Sequence, residues 1–178
     1  MSPEVSRLAR QLGEEIAKRD CVLLTGACPG LPHEAVLGAR AAGGLVIGVS
    51  PALALEEHIE RYRSPYEEYD VLIFTGSGLM GREIENIRSC DIVIMLGGRS
   101  GTLGEFAIAY DEGKLIGVLE GTDGISDHLG DIVAMINKQT DAELMYDGDP
   151  ARLMDRLLEA HQRRVAAGIA YRAPRGDA

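Results

Sequence analysis

Short apolar runs and longer helical repeats alternate along this chain. The first repeat covers Pro3 to Lys18, where Val5, Leu8, Leu12 and Ile16 recur at three- and four-residue spacing and predict an amphipathic helix. Runs too short for a helix predict buried strands at residues 21–25, 45–49, 71–75, 92–96, 115–119 and 143–146. Helical spacing and flanking Gly or Pro predict further helices at residues 32–42, 79–88, 127–136 and 150–167, and one that opens near residue 101.

This alternation is typical of an α/β protein. Strands joined by helices form a parallel sheet, and right-handed connections place helices on both of its faces. We therefore predict a doubly wound, mainly parallel, Rossmann-like sheet. A length of 178 residues suits one such domain. We assign residues 1–168 to this single domain and the polar residues 169–178 to a flexible C-terminal tail.

The stretch from Asp91 to Tyr110 carries the strongest functional signal. An apolar run ends at Gly97 and Gly98, and a helix follows, so a glycine-rich turn joins a strand to a helix N-terminus. Free backbone N–H groups and the positive end of the helix dipole converge at such a turn, and glycines let an anion approach the backbone. The pattern predicts a phosphate-binding turn, with Glu105 in the first helical turn.

The same residues allow a structural alternative. Thr102 and Glu105 have the spacing of a capping box, in which each side chain accepts a hydrogen bond from the backbone of the other. We favour the ligand-binding interpretation because the turn contains three glycines and further polar turns lie at residues 26–30 and 76–81. All three turns follow strands, and the carboxyl ends of parallel strands line one crevice.

The turn at Gly76 to Gly81 also matches the dinucleotide fingerprint G-x-G-x-x-G. That fingerprint requires an acidic residue at the end of the next strand to hold the ribose, but the next strand ends at Leu96. NAD binding is therefore not predicted. Arg82 directly follows this turn and has two interpretations. It either forms a solvent-exposed ion pair with Glu83 or Glu85, which contributes little to stability, or its guanidinium binds a phosphate or carboxylate.

Composition and charge limit the classes of partner that we predict. The formal net charge is −10, which repels long anionic partners, so we predict no nucleic acid partner but allow a small phosphorylated ligand. No apolar run approaches the ~20 residues of a membrane span, and no membrane association is predicted. Three cysteines without a CxxC pair and no signal peptide favour the cytoplasm. Four scattered histidines predict no metal site, and no cofactor is predicted.

The segment from Pro51 to Tyr69 is the least regular part of the chain. It contains Tyr62, Tyr66 and Tyr69, and residues 53–62 could form a short helix. The tyrosines either stack on a bound base as a lid or anchor a surface connection. We favour the connection, because aromatic residues mostly serve packing.

Together these motifs resemble one family. The run from Gly97 to Glu105, GGRSGTLGE, resembles the GGGxGTxxE signature of the "Lonely guy"-like superfamily. Arg82 lies 23 residues before Glu105, which is similar to the spacing of the catalytic Arg and Glu of that family. Residues 25–31 and the segment AVLGARAAGGLVIGVSP resemble its upstream motif. The resemblance covers residues 5–158. Family members usually begin with a central strand that is missing here, unless the start codon is misassigned.

The resemblance implies a nucleoside 5′-monophosphate phosphoribohydrolase with Arg82 and Glu105 as catalytic residues, and a homodimer. It implies that the phosphate or the rest of the nucleotide is bound at Gly26, Gly30, Gly97, Gly98, Arg99, Ser100, Gly101 and Thr102. Arg99 replaces the third glycine of the family signature, and it either adds a phosphate contact or partly fills the pocket. The chain departs from the hydrolases in two respects: Arg99 and Ser100 separate the glycine pair from GT, and the His and Lys that flank the catalytic Arg are absent. In these respects it resembles the branch that carries molybdenum cofactor. From sequence, hydrolysis is the first hypothesis, and binding of a nucleotide or molybdenum cofactor without turnover is the alternative. A vestigial pocket with an oligomeric or regulatory role is a third hypothesis, which follows if the first strand is truly missing.

Overall fold

A computed structural model describes residues 2–169 of the chain. The predicted tail lies outside the described residues, apart from Ile169. The helices and strands follow one another as α1 Pro3–Lys18, β1 Leu23–Thr25, α2 Leu31–Ala41, β2 Val46–Ser50, α3 Leu55–Glu60, β3 Val71–Phe74, α4 Gly78–Arg88, β4 Ile92–Met95, α5 Ser100–Asp111, β5 Leu115–Leu119, a 3₁₀ helix Gly124–His128, α6 Leu129–Ile136, β6 Glu143–Asp147 and α7 Pro150–Ala166. The fold is α/β and Rossmann-like, as predicted, with parallel strands and intervening helices.

The chain forms two compact units, divided between Asn86 and Ile87. In the first unit β1, β2 and β3 form a parallel sheet in that order, with Leu24 opposite Ile47 in the register of β1 and β2. Each crossover between neighbouring strands contains a helix, which is the connection that parallel strands require.

Helices α1 and α2 pack closely in the first unit. Ser2 accepts a hydrogen bond from the Val5 amide and caps α1, and Pro3 occupies the first helical position. A Cβ on Gly13 or on Gly38 would overlap a backbone carbonyl of the other helix. The two glycines therefore set how near the helices approach, and any larger side chain at either position would force them apart.

The connection between β2 and β3 is anchored by a buried histidine. His58 is fully buried on α3, its Nδ1 lies 2.8 Å from the Ser50 hydroxyl, and its Nε2 lies 3.0 Å from the Pro65 carbonyl. Its ring also packs edge-on against Phe74. Tyr66 is 39% exposed. A buried polar network of this kind fixes the segment, which agrees with a connection better than with a lid.

The second unit has its own parallel sheet, in the order β4, β5, β6. Val93 pairs in register with Ile116, and Ile116 pairs with Leu144. β5 is buried along its whole length, as expected for a central strand of a covered parallel sheet. The core between this sheet and its helices contains buried apolar residues from β4, α5, β5 and α6: Val93, Met95, Phe106, Ala109, Ile116, Val118 and Leu129.

Candidate phosphate site

The predicted phosphate turn lies between β4 and α5. Gly97 and Gly98 adopt left-handed backbone angles, with φ of 53° and 86°, and turn the chain sharply after the strand. Arg99 is the N-cap of α5, and the first helical hydrogen bond described for α5 joins the Leu103 amide to the Arg99 carbonyl. The amides at the preceding three positions therefore have no acceptor inside the helix.

The capping-box interpretation is wrong. Helix α5 begins at Ser100, so Thr102 and Glu105 both lie inside it, and within the described residues no side chain caps its N-terminus. Glu105 is half-buried in the second turn, not in the first turn as predicted. The helix starts earlier than the sequence indicated because Gly97 and Gly98 already complete the turn that a cap residue would otherwise make.

The Thr102 side chain packs against Gly98. A Cβ on Gly98 would overlap the Thr102 hydroxyl and both of its carbons. Gly98 is thus required twice, once for its positive φ and once for this close approach. Arg99 and Ser100 are exposed, whereas Gly101 and Thr102 are half-buried. The predicted residues Gly97 to Thr102, called the phosphate loop below, therefore comprise the turn after β4 and the first residues of α5, and Arg99 and Ser100 are their exposed part.

Two buried hydroxyls that the sequence did not single out support this loop. Thr122, 2% exposed, accepts a hydrogen bond from the Gly97 amide at 2.8 Å and donates one to the Leu119 carbonyl at 2.8 Å. Its hydroxyl also lies 3.2 Å from that of Ser126, which is fully buried. These bonds hold Gly97 from the segment after β5. Two Ser or Thr residues near a glycine carry no sequence signal of their own.

The loop is further fixed by backbone bonds to the 3₁₀ helix. The amides of Ile125 and Ser126 donate to the carbonyls of Gly98 and Gly97 at 3.1 and 3.0 Å. A Cβ on Gly124 would overlap this backbone. The carbonyls of the two turn glycines are therefore occupied on the protein side, which leaves donors rather than acceptors for a ligand at the start of α5.

Arg82 lies in the first unit, on α4, and it is buried at 6% exposure. The interpretation of Arg82 as a solvated side chain is therefore wrong. Its guanidinium packs against Gly26, where a Cβ would overlap three of its atoms. Nη2 donates to the Cys28 sulfur at 2.9 Å. Nε and Nη1 are buried without a hydrogen-bond partner among the described residues of this unit.

An incompletely paired guanidinium is costly to bury. Removing a charge and its N–H groups from water without partners costs several kcal/mol by general estimates. A group held in this state is a candidate for binding an anion, because a phosphate or carboxylate would supply the missing acceptors. Arg82 is thus the strongest candidate ligand contact of the first unit.

The turn after β1 surrounds this arginine. Tyr69 lies 3.2 Å from the Thr25 hydroxyl, which also accepts a bond from the Ala27 amide. Burial raises the pKa of Tyr69 to about 12, so the phenol stays protonated. Gly30 is the N-cap of α2 with φ of 97° and has open space around it. Gly26 and Arg82 are therefore brought together, whereas Gly30 lies in open surroundings.

The candidate residues belong to two units. Gly26, Gly30 and Arg82 lie in the first, and the loop from Gly97 to Thr102 lies in the second together with Glu105. Glu105 shares α5 with the loop, three residues beyond Thr102. Among the described residues, no group of three or more His, Cys, Asp or Glu side chains could hold a metal ion.

A model of the SLOG cluster4 family matches residues 1–154. The chain belongs to the SLOG cluster4 family. The match spans both units described above and confirms the family resemblance drawn from the motifs of Gly97 to Glu105 and Arg82.

Solved structures similar to this family member agree with its fold. TM1055 has 24% identity and a TM-score of 0.76 over 90% of this chain and 91% of the other. The molybdenum cofactor binding protein from the phototrophic bacterium Rippkaea orientalis has 31% identity and a TM-score of 0.71, over 89% and 88%. The molybdenum cofactor carrier protein from Chlamydomonas reinhardtii has 27% identity and a TM-score of 0.69, over 89% and 91%.

Within residues 2–169 no helix is both long enough and apolar enough to cross a membrane.

Proposed function

We propose that this chain binds a small phosphorylated ligand of the molybdenum cofactor kind and holds it without turnover. The observation that carries the proposal is the loop from Gly97 to Thr102. Its two left-handed glycines open onto a helix N-terminus that has no side-chain cap among the described residues. Such a terminus presents backbone donors and a positive dipole end to a phosphate.

The residues present fit the phosphate end of such a cofactor. The amides at Ser100, Gly101 and Thr102 have no acceptor inside α5, and buried Arg82 has two unpartnered donor atoms in its own unit. Each feature, taken within its own unit, suits an anion. Two relatives of similar fold, at 31% and 27% identity, are a molybdenum cofactor binding protein and a molybdenum cofactor carrier protein, which supports this ligand class. Redox chemistry of the metal is what the cofactor would supply to the enzyme that receives it.

A carrier has a distinct experimental signature. Protein purified from cells that make the cofactor should retain molybdenum and a pterin, measured by elemental analysis and by fluorescence of the oxidised pterin. Gly98→Ala and Arg82→Gln should each lower the retained amount about tenfold or more, as expected when one to two ligand contacts are lost. The proposal would be contradicted if purified wild-type protein contains neither molybdenum nor pterin and if the metal-free pterin does not raise its melting temperature.

A second candidate is hydrolysis of the N-glycosidic bond of a nucleoside 5′-monophosphate. The observation in its favour is Glu105, a half-buried carboxylate one helical turn beyond the phosphate loop. Breaking the bond develops oxocarbenium charge on the ribose, which a carboxylate can stabilise, or it can activate the attacking water. Arg82 would orient the nucleotide in this reaction.

The two candidates are separated by product analysis. Release of free base from AMP, GMP, CMP and IMP is followed by chromatography, with Glu105→Gln and the exposed Glu159→Gln as a matched pair. Hydrolysis predicts release that Glu105→Gln reduces at least a hundredfold and Glu159→Gln leaves unchanged, a loss typical of general acid–base groups. If no base is released from any of the four nucleotides, hydrolysis of these nucleotides is excluded and only the carrier proposal remains.

We also propose that the protein is a homodimer of the cytoplasm that takes no nucleic acid. Exposed apolar side chains concentrate on β3 and α4, including Ile73 at 48%, Leu79 at 54% and Met80 at 66%. Clusters of this kind favour association. Light scattering after gel filtration should give twice the mass of the chain, and Met80→Glu should return it to the monomer mass. A monomeric wild-type protein at micromolar concentration would contradict the dimer.

A further inference from the structure

The thiol of Cys28 lies beside the buried charge of Arg82. Arg82 Nη2 donates to the Cys28 sulfur at 2.9 Å. Cys28 follows β1 in the turn that contains Gly26, and its side chain is half-buried, so small reagents reach it. Neither the phosphate proposal nor the hydrolase proposal gives this sulfur a role.

The charge of Arg82 favours the ionised form of this sulfur. A guanidinium only donates hydrogen bonds and stays charged at all physiological pH. At 6% exposure it is poorly screened, and two of its nitrogen atoms, Nε and Nη1, have no hydrogen-bond partner among the described residues of its unit. A thiolate accepts such a bond with full charge assistance, whereas a neutral thiol is a weak acceptor.

A competing contact favours the neutral thiol. The Cys28 S–H points to the Gly26 carbonyl at 3.2 Å, a bond that is lost on ionisation. A thiol is a weak donor, and charge-assisted bonds are roughly twice as strong as neutral ones. Of these two contacts, the one with Arg82 is therefore the stronger, and it favours the thiolate.

The other two cysteines lie in the opposite environment. Burial raises the pKa of Cys90 to about 11. Burial also raises the pKa of Cys21, and the nearby Arg19 only partly offsets it. Both thiols stay protonated at neutral pH, and thiols react far more slowly than thiolates. The chain therefore contains two internal reference cysteines for any measurement on Cys28.

We propose that Cys28 is a modification site, a thiolate held by Arg82 that reacts with hydrogen peroxide. The sulfur attacks one peroxide oxygen, an S–O bond forms and the O–O bond breaks. The sulfur loses two electrons and becomes a sulfenate or, protonated, a sulfenic acid, while the departing hydroxide takes a proton and leaves as water. The new oxygen adds bulk and an acceptor beside the guanidinium that we propose for anion binding. Oxidation therefore competes with the ligand phosphate, a consequence that rests on the proposed function.

Site-specific labelling tests the reactivity itself. Intact protein is treated with iodoacetamide at neutral pH, and the labelled fractions of Cys21, Cys28 and Cys90 are followed by peptide mass spectrometry. We expect Cys28 to react at least about tenfold faster than either reference cysteine and faster than glutathione. After peroxide treatment, dimedone, which traps sulfenic acid, should label Cys28 alone. A Cys28 rate no higher than that of Cys21 would overturn the proposal.

A pair of arginine variants on α4 tests the cause. Arg82→Gln should slow the reaction of Cys28 about tenfold, whereas Arg88→Gln, at an exposed arginine paired with Glu112 at 2.6 Å, should leave it unchanged. Circular dichroism checks that both variants are folded. If Arg82→Gln does not fold, the comparison of Cys28 with Cys21, Cys90 and glutathione in the wild type still decides the proposal.

Protection by a ligand separates this inference from the proposed function. Inorganic phosphate and AMP, added during labelling, should slow the reaction of Cys28 if Arg82 contacts the ligand phosphate. Fast labelling of Cys28 that neither compound slows would support the modification site and count against a role of Arg82 in phosphate binding. Slow labelling with a clear stabilisation by AMP would overturn the modification site and support the phosphate site.

Discussion

The guanidinium of Arg82 occupies the space beside Gly26 that the Cβ of any larger residue at position 26 would fill. This contact joins α4 to the turn after β1 within the first unit. The position of the buried Arg82 charge therefore depends on the lack of a Cβ at Gly26. The residue that sets the position of Arg82 is thus 56 positions away in the sequence.

Gly26→Ala should displace Arg82. The new methyl group overlaps a guanidinium that is only 6% exposed, and overpacking of a buried site costs about 1–3 kcal/mol. We expect a lower free energy of unfolding in urea and loss of the stabilisation that AMP or phosphate gives the wild type. Gly130→Ala in α6 is the matched control, because the nearest atom to its Cβ would be 3.8 Å away. Equal stability of the two variants would contradict the packing described for Arg82.

Gly98→Ala should destabilise the phosphate loop more than its backbone angle alone requires. Both Gly98 and Gly121 have positive φ, 86° and 73°, but only a Cβ on Gly98 meets neighbouring atoms, those of Thr102. Gly121→Ala should cost about 1 kcal/mol from the left-handed conformation, and Gly98→Ala about 2–4 kcal/mol from conformation plus overlap. Chemical denaturation measures both. A smaller loss for Gly98→Ala than for Gly121→Ala would count against the close approach of Thr102.

Thr122→Val should loosen the loop without a change in side-chain volume. The valine leaves the buried Gly97 amide and the Leu119 carbonyl without the Thr122 hydroxyl, at a cost of about 1–3 kcal/mol. Thr122→Ser, which keeps the hydroxyl, should retain most of the stability and of the ligand-induced rise in melting temperature. If the serine variant behaves like the valine variant, packing of the methyl group and not the hydrogen bonds would explain the role of Thr122.

Asp147 makes the stability of the second unit dependent on pH. Arg152 donates two hydrogen bonds to its carboxylate at 2.7 and 2.6 Å, and Arg156 a third at 3.3 Å. These arginines lower the pKa of Asp147 well below its ordinary value. The stabilisation is complete above the unfolded-state pKa of about 4 and is lost as the pH falls towards the folded-state pKa.

Asp147→Asn should therefore lower the melting temperature by several degrees at pH 7, since the lost charge-assisted bonds are worth on the order of 1–2 kcal/mol. The difference from the wild type should shrink at about pH 3, because the Asp147 carboxyl of the unfolded chain is protonated at that pH while that of the folded chain is still ionised. The exposed Glu67→Gln serves as the control and should match the wild type at both pH values. A difference that grows as the pH falls would show that the sign of the pKa shift is wrong.

The order of helices and strands could be predicted because their signals are local. The apolar runs of β2 to β6 and the repeat of α1 each lie within one stretch of sequence, and the structure places these elements within two residues of their predicted bounds. The 3₁₀ helix Gly124–His128 was missed and assigned in part to the helix after it. A tight turn of five residues carries no periodic pattern that would distinguish it from a helix start.

The residues of the candidate site could be predicted from the sequence, but the contacts that hold them in place could not. The glycines at 97 and 98 announce a turn by themselves, and Arg82 and Glu105 were found through the family motif. Whether Thr102 caps α5 depends on where the helix begins, and the N-cap is Arg99, three residues before Thr102. The burial of Arg82 and its contact with Cys28 join residues 54 positions apart, and no local pattern encodes such a pair.

The hydroxyl network of Thr122 and Ser126 extends the phosphate loop into a segment of the chain with no proposed contact to the ligand. A genetic screen for loss of ligand retention would therefore recover two groups of alleles, one at positions 97–102 and one at positions 122 and 126. The second group would resemble site mutants in their defect while leaving every proposed contact residue intact. A graft of this loop onto another scaffold must therefore include the segment with Thr122 and Ser126, so that the backbone donors keep their orientation.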